Sequence, residues 1–141
     1  MLPLQPSIIH TPREFINLYP RPPLLTSLET QWQTIAVACL CQPAYERSEV
    51  CTPFHRLAIY TSPSLIQHRF KGSFKQEPIK AGDIVVIPGN LGQSVRWMSD
   101  VEMIGIGLDT SLFDYAIDDA VNSSQTDLVV CHMDYDKLGV G

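Results

Sequence analysis

Four histidines (His10, His55, His68, His132) and four cysteines (Cys39, Cys41, Cys51, Cys131) have the widest chemical scope in this chain. A transition-metal centre needs three or four imidazole, thiolate or carboxylate ligands that converge. The histidines lie on separate segments, with no His-x-His and no i, i+4 pair. Hydrogen-bonded or partly exposed rings are the simpler reading. No cysteines have C-x-x-C spacing, and no histidine stands near Cys39 and Cys41 in sequence. Reduced, mostly buried thiols are expected, with Cys39 and Cys41 on one face of a strand. Covalent catalysis has no signature: no cysteine has a neighbouring base, and no G-x-S-x-G turn occurs. Gly105-Ile106-Gly107 lacks the third glycine of a G-x-G-x-x-G phosphate loop.

Recognition by polar and aromatic side chains remains, and it needs a scaffold to position them. The 141 residues suit one domain with a single core. With 45% hydrophobic and 18% charged residues, the chain is globular in composition. A net charge of −5, with Lys and Arg scattered singly, argues against a nucleic-acid surface in this chain. No apolar stretch approaches the ~20 residues of a membrane span. The start, MLPLQPSIIH, lacks a basic segment followed by a long apolar run, so no signal peptide is read and a cytoplasmic location is expected.

Six prolines (Pro3, Pro6, Pro12, Pro20, Pro22, Pro23) mark residues 1–30 as an irregular arm, with one helical turn around Arg13 to Leu18. Strand patterns then follow at Thr34–Cys41, Phe54–Thr61, Leu65–Phe70, Phe74–Ile79, Asp83–Ile87, Gln93–Trp97 and Val101–Leu108. Lys71-Gly72 and Ala81-Gly82 read as turns, and Pro78 puts its strand at a sheet edge. Gly105 and Gly107 leave one strand face without side chains, which predicts a close backbone approach or room for a ligand. Many short strands at close spacing predict an antiparallel sandwich or barrel. TSLFDYAIDDAV then changes to helical spacing, with Thr110 or Ser111 as cap and Ser111-x-x-Asp114 resembling a capping box. Asp127–Met133 reads as a last strand.

Gly82, five residues, Pro88, then Gly89-Asn90-Leu91-Gly92-Gln93 resembles the second cupin motif. Asn90 stands where that motif has its second glycine, and Gln93 where it has its histidine. The wider order, HRLAIYTSPSLIQHRFKGSFKQEPIKAGDIVVIPG and later VEMIGIGLDTSLFDYA, is similar to the N-terminal sensor domain of AraC-type bacterial transcription regulators. The resemblance spans about residues 34–120. It implies a mainly β fold: a cupin-like double-stranded β-helix, or jelly-roll barrel, with a short C-terminal helical segment. The expected organisation is an arm (1–33), a barrel (34–109) and a helix with C-terminal extension (110–141) in one domain. The paired helix-turn-helix module of such regulators is missing from these 141 residues. The chain is thus expected to be a fragment of a longer regulator or a stand-alone sensor.

Catalytic cupins hold a metal through histidines and a carboxylate. With Gly72 as the glycine of the first motif, the glutamate position falls at Leu65. The histidine positions fall at Ala58 and Tyr60, or at Ile59 and Thr61. With Gln93 these positions offer no strong ligand, so neither metal nor cofactor is expected. If Gln93 points inward as the family's histidine does, alternation turns Val95 and Trp97 inward, and Ala58 and Tyr60 on the partner strand. On LIQHRF the set Leu65, Gln67 and Arg69 is preferred to Ile66, His68 and Phe70, because Leu65 holds the inward glutamate position. The resulting ligand-binding candidates are Tyr60, Gln67, Arg69, Gln93 and Trp97. Trp97 would stack on a ring or sugar face, and Arg69 would pair with a carboxylate. The plainer reading makes Tyr60 and Trp97 core residues and Arg69 a solvated charge.

The expected function is effector binding, with homodimerisation, in a sensor domain that shifts between populations when a small molecule binds. The proline-rich arm is a candidate lid over the barrel mouth. Neither nucleic acid nor membrane is an expected partner. A stand-alone cupin enzyme (isomerase or oxygenase) and a structural dimerisation domain with a filled barrel are the alternatives.

Overall fold

Period-two burial decides which segments pair. The computed structural model describes residues 9–112 and 132–133. Ile35–Gln42 alternates strictly: Ala36, Ala38, Leu40 and Gln42 are buried, while Ile35, Val37, Cys39 and Cys41 are half-buried. Among the described residues the strands are β1 (Leu25–Thr26), β2 (Ile35–Gln42), β3 (Tyr45–Val50), β4 (His55–Tyr60), β5 (Ser64–Arg69), β6 (Lys75–Ile79), β7 (Ile84–Ile87), β8 (Gln93–Trp97), β9 (Val101–Leu108) and β10 (His132–Met133).

They form two antiparallel sheets, ordered β1-β2-β9-β4-β7-β10 and β3-β8-β5-β6. The pairings nest: β5 with β6, β4 with β7, β3 with β8 and β2 with β9. A long antiparallel ribbon folded at β5–β6 and rolled up gives this order. It is the eight-stranded jelly roll, with β4–β9 and β5–β8 closing the two sheets. The mainly β, cupin-like barrel expected from the sequence is thus present. Proline at Pro78 sits in β6, an edge strand, where its missing N–H breaks no internal ladder. Gly72 and Gly82 adopt φ of 78° and 95°, which fits them to the two turns.

The core lies between the sheets. Phe54, Ile66, Met103, Val95 and Val101 are among its most deeply buried side chains. Each contributes roughly 1.5–3 kcal/mol by leaving water. The arm belongs to this core. Pro12–Leu18 is a 3-10 helix, opened by Thr11, whose N–H and hydroxyl both donate to the Glu14 carboxylate at 3.1 and 2.9 Å. Arg13 ties it to the following loop by donating to the carbonyls of Trp32 (2.8 Å) and Thr30 (3.2 Å). Phe15, on the same helix, is 1% exposed. Its ring and Pro12 lie over Gly105 and Gly107. The glycine-bearing face of β9 therefore makes a close approach to the chain's own arm.

Several expectations change. β3 was not expected: Glu46, Ser48 and Glu49 are exposed, and their polarity hides the strand. The arm also contributes β1 to a sheet edge. Cys39 and Cys41 share a face as expected, yet both are half-buried and Cys51 is exposed, so these thiols are not mostly buried. Neither Thr110 nor Ser111 caps the helical turn that starts at residue 110; Asp109 does, accepting from Ser111 N–H (3.0 Å) and Oγ (2.6 Å). Those two bonds hold the Asp109 carboxyl below its ordinary pKa. The rest of the expected helix and capping box, Cys131 and residues 127–131 of the expected last strand lie outside the described residues. His132 and Met133 pair with β7.

Candidate ligand-binding site in the barrel interior

Three strands converge beneath the arm. β4 turns Arg56, Ala58 and Tyr60 inward, and β8 does the same for Gln93, Val95 and Trp97. β3 places Tyr45 opposite Trp97 and Arg47 opposite Val95. The Tyr45 and Trp97 rings stack at 4.4 Å between centroids, 17° apart. Trp97 Nε1–H donates to the Tyr60 hydroxyl at 3.2 Å. Burial pushes the Tyr60 hydroxyl up to about 12 and the Tyr45 hydroxyl higher still.

Arg47 lies against these rings, its guanidinium carbon 5.3 Å from the Trp97 centroid and 6.0 Å from that of Tyr19. It donates through Nη2 to the Gln93 Oε1 at 3.3 Å. Among the described residues, its Nε and Nη1 are buried without a hydrogen-bond partner, as are Nε and Nη2 of Arg56. Arg56 is 4% exposed. Burial, and then repulsion from Arg47, lowers its pKa to about 9, so it remains a cation at neutral pH. Buried donors without acceptors are costly, and buried charges more so. Both arginine side chains line a cavity of about 20 Å³, together with Phe15 and Tyr19 of the arm. That space holds about one water molecule.

The turn of residues 88–92 sets the position of Gln93. Gly89 N–H donates to His55 Nδ1 at 2.8 Å, and Asn90 N–H to the Thr52 carbonyl at 2.7 Å. Asn90 has φ of 64°, a left-handed conformation that asparagine tolerates better than most residues. It can therefore stand where the motif has glycine.

Of the five ligand-binding candidates, Tyr60, Gln93 and Trp97 meet in this interior. Gln67 and Arg69 do not. On β5, Ser64, Ile66 and His68 are buried, while Leu65 and Gln67 are half-buried and Arg69 is exposed. The inward phase is the opposite of the one expected, and a one-residue slip reverses every side chain of a strand. Gln67 instead bonds Gln76 (3.1 Å) and Arg96 (3.3 Å), and the Arg69 guanidinium lies 4.8 Å from the Phe74 centroid. His68 Nε2 stands 3.0 Å from a Glu77 carboxylate oxygen. The assumed inward glutamate position, Leu65, likewise faces the other side from Ile66. Arg56 was missed, although the alternation that turns Ala58 and Tyr60 inward carries it too. Arg47 and Tyr45 were missed with β3. Among the described residues, no group of three or more His, Cys, Asp or Glu is placed to hold a metal ion.

No family model matches the sequence, and no curated protein matches it. Among solved structures, the chain is similar to a Salmonella typhimurium protein named for ethanolamine utilization, at 14% identity over 62% of this chain and 67% of that one, TM-score 0.48. It is similar to a Ralstonia eutropha protein named as a mannose-6-phosphate isomerase, at 14% identity over 62% and 81%, TM-score 0.49. A third is Bacillus subtilis oxalate decarboxylase, at 16% identity over 54% of this chain, TM-score 0.44. This chain spans about a fifth of that enzyme's length, 21%. The strand order and register, rather than these likenesses, establish the jelly roll.

Proposed function

We propose that the chain is a ligand-sensing domain of the AraC-regulator kind, cytoplasmic and homodimeric, which binds a small effector in the barrel interior beneath its arm. One observation carries this reading: among the described residues, the interior keeps buried polar groups without partners beside a cavity that the arm helix lines through Phe15. A core built only for stability gains nothing from such groups. Binding would favour one arrangement of the arm over another, a population shift. A thermal-shift screen of small metabolites, with hydrogen exchange at residues 12–18, tests it. A ligand at about 100 times its Kd stabilises by about 2.7 kcal/mol. Hits should raise the melting temperature by several degrees and change exchange in the arm helix. No hit in either the native chain or the Phe15→Ala variant would reject the reading.

The closed interior favours a second reading, a structural domain with a filled barrel. Phe15 is fully buried against the cavity, of which about 20 Å³ remains. Sedimentation of the purified chain, with and without hits, separates the two. Dimerisation without any ligand response belongs to the filled barrel.

A further inference from the structure

Among the described residues, two cations with no carboxylate beside them line one small cavity. Among the described residues that line it there is no Asp or Glu. The Gln93 side-chain oxygen already accepts from Arg47. The Tyr60 hydroxyl, held protonated by burial, is neutral at physiological pH. Four buried guanidinium nitrogens thus remain, two on Arg47 and two on Arg56. Such groups are stable inside a protein when an anion joins them. A guanidinium presents parallel N–H groups that match the two oxygens of a carboxylate.

The remainder of the lining is apolar, with Phe15, Ala58, Ile66, Val95 and Met103. A ligand suited to both parts has a charged end and an apolar body. The cavity that the arginines help to line holds about one water. A planar carboxylate comes nearer to that size than a tetrahedral phosphate does. An apolar body finds room only where the Phe15 ring now lies. That ring rests over Gly105, which has no side chain to fill the site when the ring leaves.

We infer that Arg47 and Arg56 are the anion-binding end of the interior site, and that they take the carboxylate of a small organic acid whose apolar body replaces Phe15. The inference rests on the reading of the interior as an effector site. It adds the chemical class of the effector and the residues that select it.

Three probes of one shape test it: benzoate, benzamide and phenyl phosphate, titrated calorimetrically into the purified chain and into Phe15→Ala. Benzoate should bind the Phe15→Ala variant more tightly than the native chain. Benzamide should bind at least tenfold more weakly than benzoate, since hydrogen bonds to charged groups are worth about 1.5–3 kcal/mol. Arg56→Met should abolish benzoate binding while the unliganded protein melts at the same or a higher temperature, because a desolvated cation has been removed. Arg56→Lys keeps the charge without the fork and should bind benzoate weakly. If Arg56→Met does not fold, Arg47→Met supplies the same readout.

Equal affinity for benzamide and benzoate, unchanged in Arg56→Met, would overturn the inference and leave the effector reading standing. Phenyl phosphate binding far more tightly than benzoate would overturn the carboxylate class. No binding of any probe in either background, with Arg56→Met melting well below the native chain, would make the arginines structural and overturn both.

Discussion

A Cβ on Gly105 would stand 2.8 Å from Cε2 of Phe15 and 3.1 Å from Cδ1 of Leu40. The arm helix and the innermost strand of its sheet are therefore fitted to one another through a missing side chain. The space that lets the arm seal the barrel is written into β9, some ninety residues later in the chain.

Gly105→Ala should accordingly loosen the arm. Overpacking a tight contact costs about 1–3 kcal/mol. Limited proteolysis should cut the variant within residues 9–24 faster than the native chain. Phe15→Ala removes a buried ring and should cost about 3–5 kcal/mol. In that background the 2.8 Å approach to the Phe15 ring is gone and Leu40 Cδ1 remains at 3.1 Å, so Gly105→Ala should cost distinctly less. A urea double-mutant cycle measures the coupling. Strict additivity would mean that the ring and the glycine do not share this space.

The buried tyrosines set the alkaline behaviour. Tyr60 has a folded pKa of about 12, against 10.0 for an unperturbed tyrosine, chiefly through burial. The native state keeps its proton after the unfolded chain has lost it. Its contribution to stability is full below pH 10 and is lost as pH rises towards 12. Tyr60→Phe removes that dependence and leaves Trp97 Nε1–H without an acceptor, at about 1–3 kcal/mol. Unfolding curves at pH 8 and at pH 11 should show a smaller pH-dependent loss in the variant than in the native chain. Equal losses would place the sensitivity elsewhere; Tyr45, also raised, retains part of it in both proteins.

Outward-facing candidates should be nearly silent. Gln67 and Arg69 lie on the solvent side of β5, and Arg69 is exposed. Gln67→Ala and Arg69→Ala should each change stability by about 0.5 kcal/mol or less and leave interior binding of benzoate unchanged. Gln93→Leu, by contrast, removes the oxygen that accepts from Arg47 and should weaken the native fold. A strong binding defect in Arg69→Ala would return that residue to the site.

How far the sequence could be read depended on what decides each feature. Strand segments were legible because β-branched and apolar residues recur at period two, and the turns because Gly72 and Gly82 punctuate them. The phase of β5 was not legible. Leu65-Ile66 are both apolar, and Gln67-His68 are both polar, so neither alternation stands out. Assigning Leu65 to a motif position then chose the wrong one. Arg56 was legible in principle, two residues from Ala58 on an inward face, yet a charged residue invites a solvent reading. Arg47 and Tyr45 were hidden because Glu46, Ser48 and Glu49 give β3 the composition of a loop. The role of Gly105 became clear only with Phe15, since a close approach and an open pocket leave the same gap in a sequence.

The turn that carries Gln93 has its own dependence on β4. Gly89 packs tightly on this segment, since a Cβ would meet the Phe54 carbonyl carbon at 3.1 Å and His55 Nδ1 at 3.4 Å. Its N–H donates to that same nitrogen at 2.8 Å. The Thr52 carbonyl meanwhile accepts from Asn90, and Thr52 Oγ donates to the Phe54 carbonyl at 2.8 Å. These bonds join residues 52–55 to the turn and fix where β8 begins. His55→Leu removes the acceptor and should cost about 1–3 kcal/mol. His55→Asn places an oxygen at about the position of Nδ1 and should recover most of that loss. Because Gln93 follows the turn directly, the leucine variant should also bind benzoate more weakly, and the asparagine variant should bind it nearly as well as the native chain. Equal stability of the two variants in urea would show that the Gly89 contact does not hold the turn in place.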